Sequence, residues 1–185
     1  MGKLKTCKVC KDKFTQQRPL QSVCSPECSF TLITLAKTKA ERIATQESRK
    51  TIRLQKEKLK TRSEHAKETQ AAFNEYIRLR DIHLPCISCG RYHDGQYHAG
   101  HYRTVGAHPE LRFEELNVHK QCSVCNNHKS GNIVEYRINL AKKIGLDKLE
   151  WLEGNHEQKR YSVEELKAIK EKYKCLTKQI KATTT

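Results

Sequence analysis

The stretch HAGHYRTVGAHPELRFEELNVHKQCSVCNNHKSGN, residues 98–132, decides the fold that the sequence predicts. It holds five histidines and a CxxC pair, Cys122 and Cys125, with few of the apolar residues that a core segment would need. A second CxxC pair, Cys86 and Cys89, lies just before it. Each pair presents two thiolates, and together they supply the four ligands of a tetrahedral zinc ion. We therefore predict a structural zinc site that frames this stretch.

A further set of cysteines lies near the N-terminus, arranged as CxxC, thirteen residues and CxxxC: Cys7, Cys10, Cys24 and Cys28. It predicts a second structural zinc ion. The alternative for both sets is a redox dithiol, but a redox CxxC would precede a helix in an alternating strand–helix unit, and neither set is so placed. Four thiolates close the coordination sphere of zinc, so both ions would stabilise small domains and carry out no chemistry. The ninth cysteine, Cys175, is predicted to be a small core residue.

The composition favours a partner that is a polyanion. Lys and Arg number 36 against 21 Asp and Glu, a formal net charge of +15 in 185 residues. A hydrophobic share of 36% and a mean hydropathy of −0.82 argue against one large core. Nucleic acid is the commonest polyanion, and no apolar run is long enough to cross a membrane. The start, MGKLKTCKVC, lacks the apolar centre of a secretory signal, which indicates a cytoplasmic metal protein.

The segment between the cysteine sets, residues 29–81, contains neither Gly nor Pro and has helical apolar spacing. A capping box from Thr61 to Glu64 starts a second helix, so we expect two helices or one kinked helix. Residues 37–62 hold ten Lys or Arg against three Glu, which favours a basic arm on DNA phosphates over a merely solvated face. The candidate DNA-binding residues are Arg49, Lys50, Arg53, Lys56, Lys60 and, beyond the second cysteine set, Lys129.

The C-terminal third is predicted to be helical. One helix follows the last CxxC pair and ends at Gly145, and DKLEWLEG forms a short one. A third begins with a capping box at Ser162 and Glu165 and carries an apolar stripe. Strand signal is sparse, and the best candidate is a hairpin around QYHAGHYR, residues 96–103.

The motifs CISCG, residues 98–132 and VEYRINLAKKIG resemble the HNH endonucleases, and more closely the NinG (Rap) family of lambdoid phage recombination endonucleases. The resemblance implies an α+β, mostly helical chain with a treble-clef ββα-metal core. We divide it into an N-terminal zinc knuckle (1–30), a basic helical linker (31–81), the nuclease core (82–145) and C-terminal helices (146–185). It also implies a catalytic Mg²⁺ or Mn²⁺ ion in addition to two zinc ions.

The resemblance also implies roles for single residues. His101 takes the position of the histidine that activates water, and Asn117 that of the asparagine that orients it. Asn126 stands where the family often has a second histidine, and its amide oxygen suits a hard cation. In the HNH enzymes the residue before this histidine is commonly an acidic metal ligand, but here it is Gly100. His98 could supply the ligand instead, provided that a bulge at Ala99-Gly100 lets its side chain converge with that of His101. Helical spacing favours Asn126 over His128 as the residue that faces the hairpin. Three further histidines are expected to be surface residues or phosphate contacts: His93, His108 and His119.

The function that the resemblance implies is a structure-specific endonuclease for Holliday junctions and D-loops. Symmetric cuts at a junction would favour a homodimer. Two alternatives remain open at this point: a non-catalytic zinc-dependent nucleic-acid-binding protein, and an adaptor whose long helix recruits a phage or host recombination protein. The expected compartment is the cytoplasm of the host cell.

Overall fold

A computed structural model describes residues 3–183 and divides the chain into two compact units, Met1–Lys60 and Thr61–Thr185. The first unit begins with a hairpin of β1 (Leu4–Thr6) and β2 (Lys13–Thr15). The sequence analysis did not predict these strands, because three residues are too few to show an alternating pattern.

The long helix α1 (Pro26–Leu59) is the main element of the first unit. Ser25 caps it by accepting a hydrogen bond from the backbone N–H of Cys28, and Pro26 occupies the first turn, where its missing N–H costs nothing. The helix spans about 50 Å at 1.5 Å per residue, and none of its side chains is buried. Its basic residues are therefore solvent-accessible within this unit.

The second unit begins with α2 (Arg62–Arg80), and the capping box predicted at Thr61 and Glu64 is confirmed by reciprocal hydrogen bonds. The segment 29–81 is thus two helices, one of the two predicted alternatives. The structure assigns α2 to the same unit as the histidine-rich stretch.

In residues 61–183 the second unit consists of four α-helices and a two-stranded ribbon, joined by loops and short helical turns. The other elements of this unit are β3 (Tyr97–His101), β4 (Val118–Cys122), α3 (Ile133–Ile144), α4 (Leu146–Glu153) and α5 (Val163–Thr183). Phe73 of α2, Val118 of the ribbon and Tyr173 of α5 share one apolar cluster. Tyr136 of α3 and Leu149 of α4 belong to another, which packs under the loop that joins the two strands. The core is therefore divided into small clusters, as the low apolar content predicted.

The ribbon differs from the predicted hairpin. β3 is a strand, but its partner is β4, which follows a long loop, and the register is one-to-one from Tyr97↔Cys122 to His101↔Val118. The strands contain no bulge at Ala99-Gly100. Because side chains alternate along a regular strand, His98 and His101 lie on opposite faces of the ribbon.

The predicted helix ends agree with the structure, whereas the prediction for Cys175 is wrong. α3 ends at Gly145, whose φ of 88° suits glycine, and the capping box of Ser162 and Glu165 is formed. Leu166 of the α5 stripe is buried. Cys175 is exposed, because it lies on the solvent side of α5. No helix in residues 3–183 is long and apolar enough to cross a membrane.

Candidate functional site

The two cysteine sets predicted from spacing are each gathered into a compact group. Within each set the four Sγ atoms lie within 4.8 Å of one another. Thiolates bound to one tetrahedral zinc ion at about 2.3 Å would be about 3.8 Å apart, so both groups fit that ion. The members are Cys7, Cys10, Cys24 and Cys28 in the first unit and Cys86, Cys89, Cys122 and Cys125 in the second.

Backbone amides favour the thiolate form that a metal needs at one cysteine of each group, Cys7 and Cys86. The N–H of Cys122 donates to Sγ of Cys86, and the N–H of Val9 donates to Sγ of Cys7. Burial by itself raises the pKa of Cys7, but the backbone donors outweigh it and lower that pKa to about 6. Burial also raises the pKa of Cys86, and backbone N–H donors again outweigh it, so that this pKa is lowered. One thiol of each group is thus prepared for deprotonation before a metal binds. Contacts with neighbouring thiols and burial raise the pKa of Cys10, Cys24, Cys89 and Cys125, so these four would lose their protons on metal binding.

His101 is held at the end of β3 by the loop that follows it. Its Nε2 lies 3.0 Å from the carbonyl oxygen of Arg112. A carbonyl only accepts hydrogen bonds, so this contact keeps the proton on Nε2 and the lone pair on Nδ1. Burial lowers the pKa of the imidazole below its ordinary value, and the hydrogen bond to Arg112 opposes this shift. The ring is therefore prepared as a neutral base.

Asn117 holds the loop on which Arg112 lies. Its side chain is fully buried; Oδ1 accepts from the N–H of Arg103 at 2.7 Å, and Nδ2 donates to the carbonyls of Arg103 and Leu111. Its own carbonyl accepts from the N–H of Tyr102, next to His101. These bonds fix both ends of the loop that positions the His101 ring, while the catalytic role that the resemblance implies for Asn117 stays a prediction.

His98 lies on the other face of the ribbon, opposite Gln121. Its Nε2 and the Oε1 of Gln121 are buried and have no hydrogen-bond partner. A Cβ atom on Gly100 would overlap the carboxamide of Gln121. The structure thus brings His98 together with Gln121 and Gly100, and separates it from His101.

The three candidates after the last zinc cysteine lie on or next to a π-helical turn, Val124–His128. The N–H of Lys129 bonds to the carbonyl of Val124, five residues back, so the ordinary helical angles that favoured Asn126 over His128 do not apply. Asn126 is half-buried and donates to Asn127, whereas His128 and Lys129 are exposed. Among residues 3–183, no hydrogen bond joins this turn to the His101 ring.

His119 contradicts the prediction of a surface histidine. It is buried on β4, where Nδ1 lies 2.9 Å from Nζ of Lys143 and 3.0 Å from the guanidinium of Arg80. Both cations also contact the buried carboxylate of Asp81. Burial alone would raise the pKa of Asp81, but contacts with His119 and Arg80 and the charge of Lys143 hold it well below its usual range. The cluster joins α2, β4 and α3, because each element supplies part of it.

The other two minor histidines lie where they were expected, at or near the surface. His93 is exposed, and its Nε2 lies 3.1 Å from Sγ of Cys89, where it can donate to a thiolate. His108 is half-buried and contacts the carboxylate of Glu110.

The predicted DNA-binding residues of α1 are solvent-accessible, and Lys60, directly after the helix, pairs with Glu57. Phosphate contact by these residues stays a prediction.

The comparison with known proteins supplies the family. The family model described as Bacteriophage Lambda NinG protein matches residues 1–183. The chain belongs to the NinG family. It is 45% identical to "Protein ninG" of Escherichia phage lambda over 93% of this chain and 90% of that protein. It is 44% identical to "Protein ninG" of Escherichia phage 933W, over 95% and 92%. No solved structure matches the chain.

Membership of the NinG family confirms that part of the predicted resemblance, while the treble-clef HNH assignment stays a prediction. The structure adds three groups to this NinG chain that the sequence did not single out: the Gln121 carboxamide, the Arg112 carbonyl and the Asp81 carboxylate. An arginine carbonyl or a lone aspartate gives no sequence signal. A glutamine beside a zinc cysteine, in a strand of otherwise buried residues, was the one available indication.

Proposed function

We propose that this chain is a metal-dependent endonuclease that hydrolyses phosphodiester bonds in branched recombination intermediates, such as Holliday junctions and D-loops. The proposal depends above all on His101, whose proton is held on Nε2 by the Arg112 carbonyl so that Nδ1 can accept a proton from water. The preference for branched DNA comes from the family resemblance and is independent of this geometry.

In this proposal His101 is the general base and Asn117 is a positioning residue. Asn117 acts through the loop, because its hydrogen bonds to Arg103 and Leu111 fix the path that brings the Arg112 carbonyl to the imidazole. A bound Mg²⁺ or Mn²⁺ ion would supply charge stabilisation to the phosphate and the departing oxygen. Of the candidate ligands, His98 has a buried nitrogen without a partner, Asn126 offers an amide oxygen, and His128 is exposed.

The charge of the chain supports DNA as the substrate. The side chains of α1 are unburied within their unit, and the helix carries most of the basic residues between positions 37 and 62. Lysine and arginine on such a helix contact phosphates without reading bases, which suits recognition of DNA shape. The exposed Lys129 would add a phosphate contact near the second zinc group. Paired cuts at a junction would require two copies, so a homodimer in the host cytoplasm is part of the proposal.

The alternative is a zinc-dependent nucleic-acid-binding protein without catalytic activity. The accessible α1 favours it, since an exposed basic helix binds DNA whether or not a base is present. The two functions differ in one observable, because the binding protein would hold branched DNA and leave it intact with Mg²⁺ or Mn²⁺ present.

The deciding experiment incubates the zinc-loaded full chain with linear, nicked and four-way DNA, with and without Mg²⁺ or Mn²⁺. We expect metal-dependent cleavage of four-way DNA that falls at least about 100-fold in His101→Ala, because the general base is removed. DNA binding and zinc content should persist in that variant. His83→Ala, which removes an exposed histidine from the same unit, should cleave like the parent chain.

Two results would contradict the proposal. Tight binding of four-way DNA by the parent chain with no cleavage in either metal would establish the binding protein instead. Equal cleavage by the parent chain and His101→Ala would show that this imidazole is not the base.

A further inference from the structure

We propose that Gln121 and His98 supply the first two protein ligands of the divalent cation, with the Oε1 of Gln121 and the Nε2 of His98 as the donor atoms. The inference rests on the proposed function and adds to it a residue, Gln121, from the strand opposite His98. It assigns the cation to the ribbon face that carries His98, Gly100 and Gln121, opposite the face of His101. The cation and the base could therefore act on one phosphate only at the end of β3, where His101 directly follows Gly100.

The orientation of the Gln121 carboxamide is fixed by its neighbours. Nε2 lies 2.5 Å from the carbonyl oxygen of Gly131 and 2.5 Å from Oγ of Ser88, whose own hydroxyl donates to the same carbonyl. A carbonyl cannot donate a hydrogen bond, so the amide nitrogen must face Gly131. The oxygen of the carboxamide then points the other way, toward Gly100.

Gly100 provides the space that this oxygen occupies. A Cβ atom at position 100 would overlap Oε1 of Gln121, so any larger residue would displace the carboxamide. Gln121 is fully buried, yet its Oε1 has no donor. A buried acceptor without a donor costs free energy, and a cation would remove that cost.

His98 completes the pair from the opposite strand. It is paired directly with Gln121 in the ribbon, and residues so paired have their Cβ atoms about 5 Å apart on one face. Its Nε2 is also buried without a partner. Two lone-pair atoms from facing residues, both unsatisfied, form a site that one small cation could bridge.

The donor chemistry indicates which cation binds better. An amide oxygen suits Mg²⁺, Ca²⁺ and Mn²⁺, whereas an imidazole nitrogen favours transition metals. Mn²⁺ is the ion that accepts both donors while keeping water or phosphate oxygens in its remaining positions. We therefore expect Mn²⁺ to bind this site more tightly than Mg²⁺ does.

The test measures Mn²⁺ binding to the zinc-loaded full chain without DNA, from the electron paramagnetic resonance signal of free Mn²⁺. We expect one Mn²⁺ per chain and a dissociation constant at least about tenfold higher in His98→Ala and in Gln121→Ala. The control variants His83→Ala and Gln96→Ala, which remove exposed side chains of the same types, should bind like the parent chain. In a competition assay, Mg²⁺ should displace Mn²⁺ only at a higher concentration.

A rescue variant separates removal of a ligand from disruption of the structure. Gly100→Asp combined with Gln121→Ala places a carboxylate in the space that the carboxamide leaves, so we expect it to restore Mn²⁺ binding. If Gln121→Ala also loses zinc, its structure is disrupted and the Mn²⁺ affinity of His98→Ala tests the site instead. The Nε2 of His98 makes no hydrogen bond in the fold, so its removal breaks none.

The outcomes distinguish this inference from the proposed function. Equal Mn²⁺ affinity in the parent chain, His98→Ala and Gln121→Ala would overturn the assignment of ligands, as would an absence of Mn²⁺ binding; metal-dependent cleavage that disappears in His101→Ala would still support the nuclease. Mn²⁺ binding that depends on His98 and Gln121, in a chain that cleaves no DNA, would support the site and refute the nuclease.

Discussion

Three side chains in or next to the ribbon differ in how many of their polar atoms form hydrogen bonds. Asn117 uses both ends of its carboxamide to hold a loop, whereas Gln121 uses only its nitrogen. Asn117 is therefore a structural clamp, and Gln121 retains an acceptor for a ligand. His101 lies between these cases, since one ring nitrogen is bound to Arg112 and the other carries the lone pair.

The protonation of His101 gives a prediction at this scale. Burial lowers its pKa below the ordinary 6.5, so the ring should stay neutral as the pH falls through that value and become protonated only at lower pH. NMR titration of the free protein should show the His101 midpoint below 6.5, with the signal assigned by its absence in His101→Gln. If the proposed cleavage is observed, the acid limb of kcat/KM, which reports the free protein, should follow the same midpoint.

A midpoint at or above the ordinary value of 6.5 would contradict the prediction. It would mean that solvent reaches the ring in solution, so that burial does not hold the neutral form.

At the scale of elements, the two cysteine groups take the place of a large apolar core. In the second unit the strands are only five residues long, and Cys122 of β4 joins Cys86, Cys89 and Cys125 at the end of the ribbon. A two-stranded ribbon is marginal by itself, so a metal that tied it to the neighbouring loop and turn would contribute directly to folding.

The cysteines give a prediction about zinc stoichiometry. The parent chain should contain two zinc ions, and Cys122→Ser should contain one and unfold at lower denaturant, because one tetrahedral site is then short of a ligand. Cys175→Ser is the matched control, since this thiol is exposed and outside both groups. Metal analysis and chemical denaturation check both statements. Two zinc ions in Cys122→Ser, or one in Cys175→Ser, would be inconsistent with the assignment.

At the scale of the whole molecule, the excess of positive charge is the main property. A net charge of +15 would attract DNA whatever its sequence, and each phosphate that the protein neutralised would release bound counterions. The accessible basic residues of α1 should supply a large share of that effect.

The salt dependence of DNA binding tests how much the basic residues of α1 contribute to counterion release. Changing Arg49, Lys50 and Arg53 together to Gln should reduce the slope of log affinity against log salt by up to about 3, roughly one for each phosphate that is no longer neutralised. The matched control removes the same charge from α5, by changing the exposed Lys167, Lys174 and Lys178 to Gln. An equal reduction in both variants would show that only net charge matters and that α1 is not a DNA-binding arm.

The sequence by itself determined the features that depend on residues close together in the chain. Cysteine spacing predicted both four-thiolate groups, the capping boxes at Thr61 and Ser162 predicted two helix starts, and Gly145 predicted a helix end. These features are local, because a cap or a CxxC turn is set within a few residues.

Only the tertiary structure decided which face of the ribbon each histidine occupies and what surrounds it. The pairing of β3 with β4, a strand that follows a long loop, placed His98 opposite Gln121 and His101 on the other face. The same pairing buried His119 beside Asp81, which the composition of the stretch could not indicate. Strand register is a contact between distant parts of the chain, and a shift of one residue exchanges the two faces, so the roles of these side chains follow from the fold.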